Sequence, residues 1–146
     1  MVLIKEVYKV SRIYLKGNFM IIYLACPYTT YGDVVENVTR SGTVASQLWL
    51  MGYVVISPNN NTNCPFIEGS IHGQFPGPPD LFLRGDEMII SRCDAVVFLE
   101  NWEKSDGCRR EHAYAKKNNI PIYYYPNLPK ISDKIIKEVE AILNNE

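Results

Sequence analysis

Four short apolar runs rich in β-formers punctuate this chain, and each ends at a turn signal. They are MIIYLA (20–25), YVVIS (53–57), DAVVFLE (94–100) and IPIYYY (120–125). None is long enough for a buried helix, and none alternates strictly, so each suits a strand covered on both faces. Between them lie helical patterns. From Asp33 to Met51, Val34, Val35, Val38, Ser41, Gly42, Ala45, Leu48 and Trp49 recur at helical spacing, and Gly52 stands where a helix stops. Asp80–Cys93, Lys104–Asn118 and Lys130–Asn144 follow the same pattern, the last with Ile131, Ile135, Val139 and Ile142 on one face. Strands alternating with helices dictate βαβ crossovers and a parallel sheet.

The expected fold class is therefore α/β. It is a three-layer, flavodoxin- or Rossmann-like parallel sheet of four to five strands, with helices on both faces. Such sheets bind ligands beyond the carboxyl ends of their strands, which directs attention to residues 26–32, 57–60, 100–107 and 126–128. The stretch from Asn59 to Pro79, rich in Asn, Gly and Pro, reads as a long irregular loop of the kind that carries function.

At 146 residues the chain holds one domain, placed at 20–146. Residues 1–19 read as an N-terminal arm or hairpin, with Met20 as an alternative start. Fifteen basic against sixteen acidic residues give a net charge of −1, so no basic field favours nucleic acid. No apolar run approaches the ~20 residues needed to span a bilayer. The four cysteines, at 26, 64, 93 and 108, form no CxxC pair, and no secretory signal is visible. A cytoplasmic protein with reduced thiols is expected.

Several residues stand out for chemistry. On the second long helix, Phe82, Leu83, Asp86, Ile89, Ile90 and Cys93 share one face, while Arg84, Glu87, Ser91 and Arg92 take the other. Asp86 is thus a carboxylate on an apolar side. It is either capped or ion-paired at the helix edge, or an acid whose proton affinity is raised by burial. Ser105-Asp106-Gly107 opens the third helix. This is either an ordinary N-cap or an anion site of free amides. Glu111 lies one turn further on, where the helix dipole favours its ionised form. Paired carboxylates in divergent environments suit glycosidic cleavage. Tyr23 and Tyr28 flank the exit of the first strand, where a phenol can orient a carboxylate. A metal site built on Cys108 and His112, with Cys64 or His72, is the remaining reading, but it lacks further ligands.

The segments IYLACPYT (22–29), ENV (36–38), GYVVISP (52–58), RGDEMIISRCDAVVFLENWEKSDGCRREHAYA (84–115) and IPIYYY (120–125) resemble the nucleoside 2-deoxyribosyltransferase-like superfamily, in order and at similar spacing. The similarity is greatest to a small bacterial and phage branch related to nucleoside 5′-monophosphate N-glycosidases. The resemblance implies Glu111 as the nucleophile at the sugar C1′ carbon, Asp86 as the proton donor to the departing base, and Tyr23 as the residue beside the nucleophile. It sets Ser105 where nucleotide-cleaving members carry a phosphate-contacting serine and nucleoside-transferring members an aspartate, and Gly107 where a glycine's backbone faces the ligand. A hydroxyl and free amides accept a dianion where an aspartate would repel it. Tyr28, Thr29, Thr30 and Trp102 are candidate contacts to the nucleotide. The resemblance also implies a homodimer or higher oligomer, with no metal or other cofactor. Ala25-Cys26 and Cys108 depart from the glycine and alanine common among relatives. The expected activity is retaining cleavage or transfer at an N-glycosidic bond of a nucleotide or nucleoside. A non-catalytic nucleotide-binding module of the same fold is the alternative.

Overall fold

The computed structural model describes residues 19–29, 33–61 and 79–144. The expected arm, the core of the Asn-, Gly- and Pro-rich stretch, Thr30, Cys64 and His72 lie outside the described residues. Four parallel strands form the sheet: β1 (Ile21–Ala25), β2 (Val54–Ile56), β3 (Ala95–Phe98) and β4 (Ile122–Tyr124), in the order β2-β1-β3-β4. The chain runs outward from β1 to β2, then returns to the other side of β1 for β3 and β4. The strand order therefore reverses between β1 and β3, where open α/β sheets place their ligands. Register sets Tyr23 beside Val96 and Ala25 beside Phe98.

Side-chain alternation divides each strand between two cores. Ile22, Leu24, Val55, Val97 and Leu99 pack with Ala45 and Leu48 of α1 (Val34–Leu50). Tyr23, Ala25, Val96 and Phe98 pack on the opposite face with Ile90 of α3 (Pro79–Ile90) and Cys108 and Ala115 of α4 (Asp106–Lys117). The last helix, α5 (Asp133–Leu143), joins the α1 side of the sheet at Gly52. Gly52 carries φ +99°, and a Cβ there would meet Ile135 and Val139 at 3.2 Å. Its amide bonds Trp49 O while the Tyr53 amide bonds Leu48 O, so the end of α1 is closed by a Schellman motif that only glycine makes without strain.

Helix starts follow their caps more closely than their periodicity. Asp33 accepts from the Glu36 amide, Ser105 from Cys108 and Ser132 from Ile135. This moves the starts of α4 and α5 to Asp106 and Asp133, inward of the expected Lys104 and Lys130. Two turns run where irregular chain was expected. One is the single-turn α2 (Pro58–Asn61); the other is the 3₁₀ turn Trp102–Lys104, entered through Asn101 at φ 65°.

Candidate active site

Tyr23 and Glu111 meet at the point where the strand order reverses. Tyr23 is fully buried in the middle of β1 and faces the α3–α4 layer. Its hydroxyl donates to Glu111 Oε1 at 2.7 Å. Burial, together with the nearby charges of Glu111 and Asp86, holds the phenol proton far above its usual range. Tyr23 therefore stays a donor.

Glu111 is itself buried, at 6% exposure. Desolvation and the charges of Asp86 and Glu87 push its proton affinity up to about 8, against the opposing pull of the Tyr23 hydrogen bond. Asp86, half-buried on α3, is raised to about 6, chiefly by desolvation, with the charge of Glu87 adding to it. The helical spacing of Phe82, Leu83, Asp86, Ile89 and Ile90 thus does turn Asp86 inward. Asp86 is close enough to raise Glu111.

The direction of its shift corrects the expectation that Glu111 stays ionised. A position near a helix start favours the carboxylate by a few tenths to about 1 kcal/mol. Removal from water acts more strongly and in the opposite direction. In the free protein Glu111, like Asp86, holds its proton more tightly than an ordinary carboxyl. Between pH about 6 and about 8 the pair shares one proton.

Ser105 and Gly107 stand one turn before Glu111 on α4. Ser105 is buried, and its oxygen accepts from the Cys108 amide at 3.3 Å, so it is the N-cap. The Arg109 amide is bonded to Ser105 O. The amides of Asp106 and Gly107 belong to the set that helix geometry leaves without intrahelical partners. Gly107 has no positive φ, and a Cβ there would meet only Leu83 Cδ2 at 3.4 Å and Ser105 Oγ at 3.8 Å. Neither backbone conformation nor internal packing demands glycine at that position.

The loop after β1 carries Tyr28, half-buried, and Thr29, exposed. Its carbonyls are gathered by buried asparagines. Asn37 Nδ2 donates to Tyr28 O at 2.9 Å, and Asn59 Nδ2 donates to Pro27 O at 3.0 Å and Cys26 O at 3.3 Å. Arg40 Nη2 bonds Asn37 Oδ1 at 3.0 Å and reaches Cys26 Sγ at 3.6 Å.

Trp102 is engaged by its own fold. Its indole stacks on His112 at a centroid distance of 4.3 Å and on Tyr124 at 5.7 Å, while Phe98 lies 5.0 Å away. His112 Nε2 and Tyr124 Oη are 2.8 Å apart. His112 is thereby turned into the aromatic stack, whereas Cys108 is buried among Ser105, Glu111 and Cys26. Among the described residues no group of three or more candidate ligands assembles.

A family model described as a domain of unknown function, DUF4406, matches residues 20–124. The chain belongs to the DUF4406 family. No curated protein matches it. The DUF4406 match spans the whole sheet and includes Tyr23, Asp86, Ser105, Gly107 and Glu111, while α5 lies beyond it. No helix among the described residues is long and apolar enough to cross a membrane.

The DUF4406 fold also brings residues to the site that sequence reasoning passed over. Asn37 and Asn59 shape the β1 exit; Asn37 lies in the ENV segment that carries the resemblance and Asn59 at the start of the expected loop, and neither was given a role. Arg110 was not singled out, and Glu87 was assigned to the face opposite Asp86. Arg110 Nε binds Glu87 Oε1 at 2.7 Å and its Nη1 binds Asp80 Oδ1 at 2.7 Å, bridging α4 to α3.

Proposed function

We propose that this protein cleaves or exchanges the N-glycosidic bond of a nucleotide or nucleoside, most specifically a nucleoside 5′-monophosphate, with retention of configuration. One observation carries the reading: a buried carboxylate, Glu111, held at 2.7 Å by a neutral phenol and electrostatically coupled to a second acid from a facing helix. The superfamily resemblance of the same residues supports it.

In the first step Glu111, ionised, forms a bond to C1′ as the bond from C1′ to the base nitrogen breaks. Asp86 gives its proton to that nitrogen, so the base leaves neutral. In the second step Asp86, now ionised, takes a proton from water, whose oxygen attacks C1′ and releases the Glu111 carboxylate. A second base in place of water makes the reaction a transfer. The reactive form carries the pair's single proton on Asp86. The Tyr23 hydrogen bond favours this arrangement because it stabilises Glu111 as the anion. Ser105 and the amides of Asp106 and Gly107 suit a phosphate at the N-terminus of α4.

The test is incubation with a panel of nucleoside 5′-monophosphates and the matching nucleosides, followed by chromatography for free base. Release from a monophosphate, abolished in Glu111→Ala, is the expected result. Retained release in that variant removes Glu111 as nucleophile. Thermal stabilisation by a nucleotide without any release favours a binding module instead. Release from nucleosides alone removes the phosphate role of Ser105 and Gly107.

A further inference from the structure

The charged strip between α3 and α4 has no part in the chemistry above, yet it sits one residue from it on both helices. Glu87 follows Asp86, and Arg110 precedes Glu111. Arg110 spans the helices by gripping Glu87 Oε1 at 2.7 Å through Nε, with Nη2 3.4 Å from Glu87 Oε2, while Nη1 holds Asp80 at 2.7 Å. Arg84 closes on the other Asp80 oxygen at 2.7 Å, one turn along the same helix. Arg110 and Glu87 are only 33% and 22% exposed, so this pair is more shielded than an ordinary surface bridge. A fork-shaped guanidinium on a carboxylate fixes direction as well as distance.

We propose that Arg110 and Glu87 are positioning residues of the site: their ion pair locks α4 to α3 and so sets how Asp86 and Glu111 converge on one substrate. This rests on the glycosidic reading for its catalytic consequence, but not for its electrostatic one. Glu87 is a permanent neighbour of both acids, and its charge raises the proton affinity of each. Around the two acids stand Tyr23 from β1, Glu87 from α3 and Cys108 from α4. Cys26, beyond β1, feels the charge of Glu111. Arg110, Asp80 and Arg84 complete the charged strip. Arg110 is the cation that pins Glu87 in place.

The experiment uses the full chain with ¹³C-labelled carboxyl groups, titrated by NMR and followed in parallel by nucleotide cleavage. Glu87→Gln is expected to lower the titration of both Glu111 and Asp86 by roughly 0.3–0.5 pH units. Coulomb's law gives about this size for a unit charge ~7 Å away in a water-like medium. Arg110→Gln, which releases Glu87, is expected to change both titrations and to lower kcat more than it raises KM. Arg110→Lys restores the charge without the fork and is expected to recover the titrations but only part of kcat. Arg84→Gln, which leaves the Arg110–Glu87 pair intact, is the control and is expected to move neither. Unchanged carboxyl titrations in Glu87→Gln and Arg110→Gln overturn the proposal, whatever happens to stability. If the titrations move as stated while no variant or wild type cleaves a nucleotide, the positioning holds and the glycosidic reading fails.

Discussion

Tyr23 is a single side chain that biases a two-acid site toward one of its protonation patterns. Its phenol is neutral and buried, so its one proton goes to the best acceptor in reach, Glu111 Oε1. A hydrogen bond to a charged group is worth about 1.5–3 kcal/mol, and only the ionised Glu111 collects all of it. Tyr23→Phe is therefore expected to slow cleavage roughly 10- to 100-fold and to raise the Glu111 titration further. In the wild type, kcat/KM is expected to be bell-shaped, with limbs near pH 6 and near pH 8. Below the bell neither acid is ionised to attack, and above it neither holds a proton to give; the limb values belong to the pair and not to either residue. In Tyr23→Phe the alkaline limb moves upward. A pH–rate profile flat from 5 to 9, or an unmoved alkaline limb, removes the one-proton pair from the mechanism.

At the scale of elements, α4 carries two residues of the proposed site, Gly107 and Glu111, and its first turn offers a separate test. Glycine costs a helix roughly 0.5–1 kcal/mol relative to alanine, and nothing among the described residues requires Gly107. Gly107→Ala is expected to stabilise the free protein by about 0.5 kcal/mol and to weaken nucleoside monophosphate binding about tenfold or more, measured by calorimetry and thermal shift. A stabilised variant with unchanged affinity means that no ligand approaches that backbone. The elements themselves were largely legible. All four strands announce themselves by β-rich runs ending at turns, and the apolar spacing of α3 turned Asp86 inward as read. The limits of the helices were legible in part: Gly52 marks the end of α1 and Ser105 stood open as an N-cap, whereas periodicity alone carried the starts of α4 and α5 back to Lys104 and Lys130. The Pro58–Asn61 turn escaped because its residues are those of loops. The raised proton affinity of Glu111 was not legible either. The dipole rule is local, whereas the burial of Glu111 comes from Tyr23 on a strand 88 positions away. The Arg110 clamp was hidden for a similar reason, since helical spacing assigned Glu87 to the face away from Asp86 without knowing that α4 reaches it.

For the molecule as a whole, the site works against the fold. Glu111 titrates from an ordinary value of 4.5 to about 8 on folding, and Asp86 from 3.8 to about 6. In the intervals between those values the native state holds protons that the unfolded chain has released. Stability is therefore greatest at the acid end of this window and is lost as pH rises through it, until the native carboxyls ionise as well. The ion pairs of Asp80 with Arg84 and Arg110 act in the opposite sense at lower pH, but they lie at an exposed carboxylate and are screened. Glu111→Gln isolates the buried term. Its carbonyl still accepts the Tyr23 hydrogen bond, so the packing is kept and only the titration is removed. The variant is expected to match the wild type in Tm near pH 5 and to exceed it by several degrees at pH 8, at about 3 °C per kcal/mol for a chain of this length. A constant gap across that range means that Glu111 is not a strained acid, and the pressure to keep it would then have to be structural. A gap that opens with pH, in a variant that has lost turnover, means that this fold carries the acid at a cost to its own stability, as sites built for chemistry commonly do.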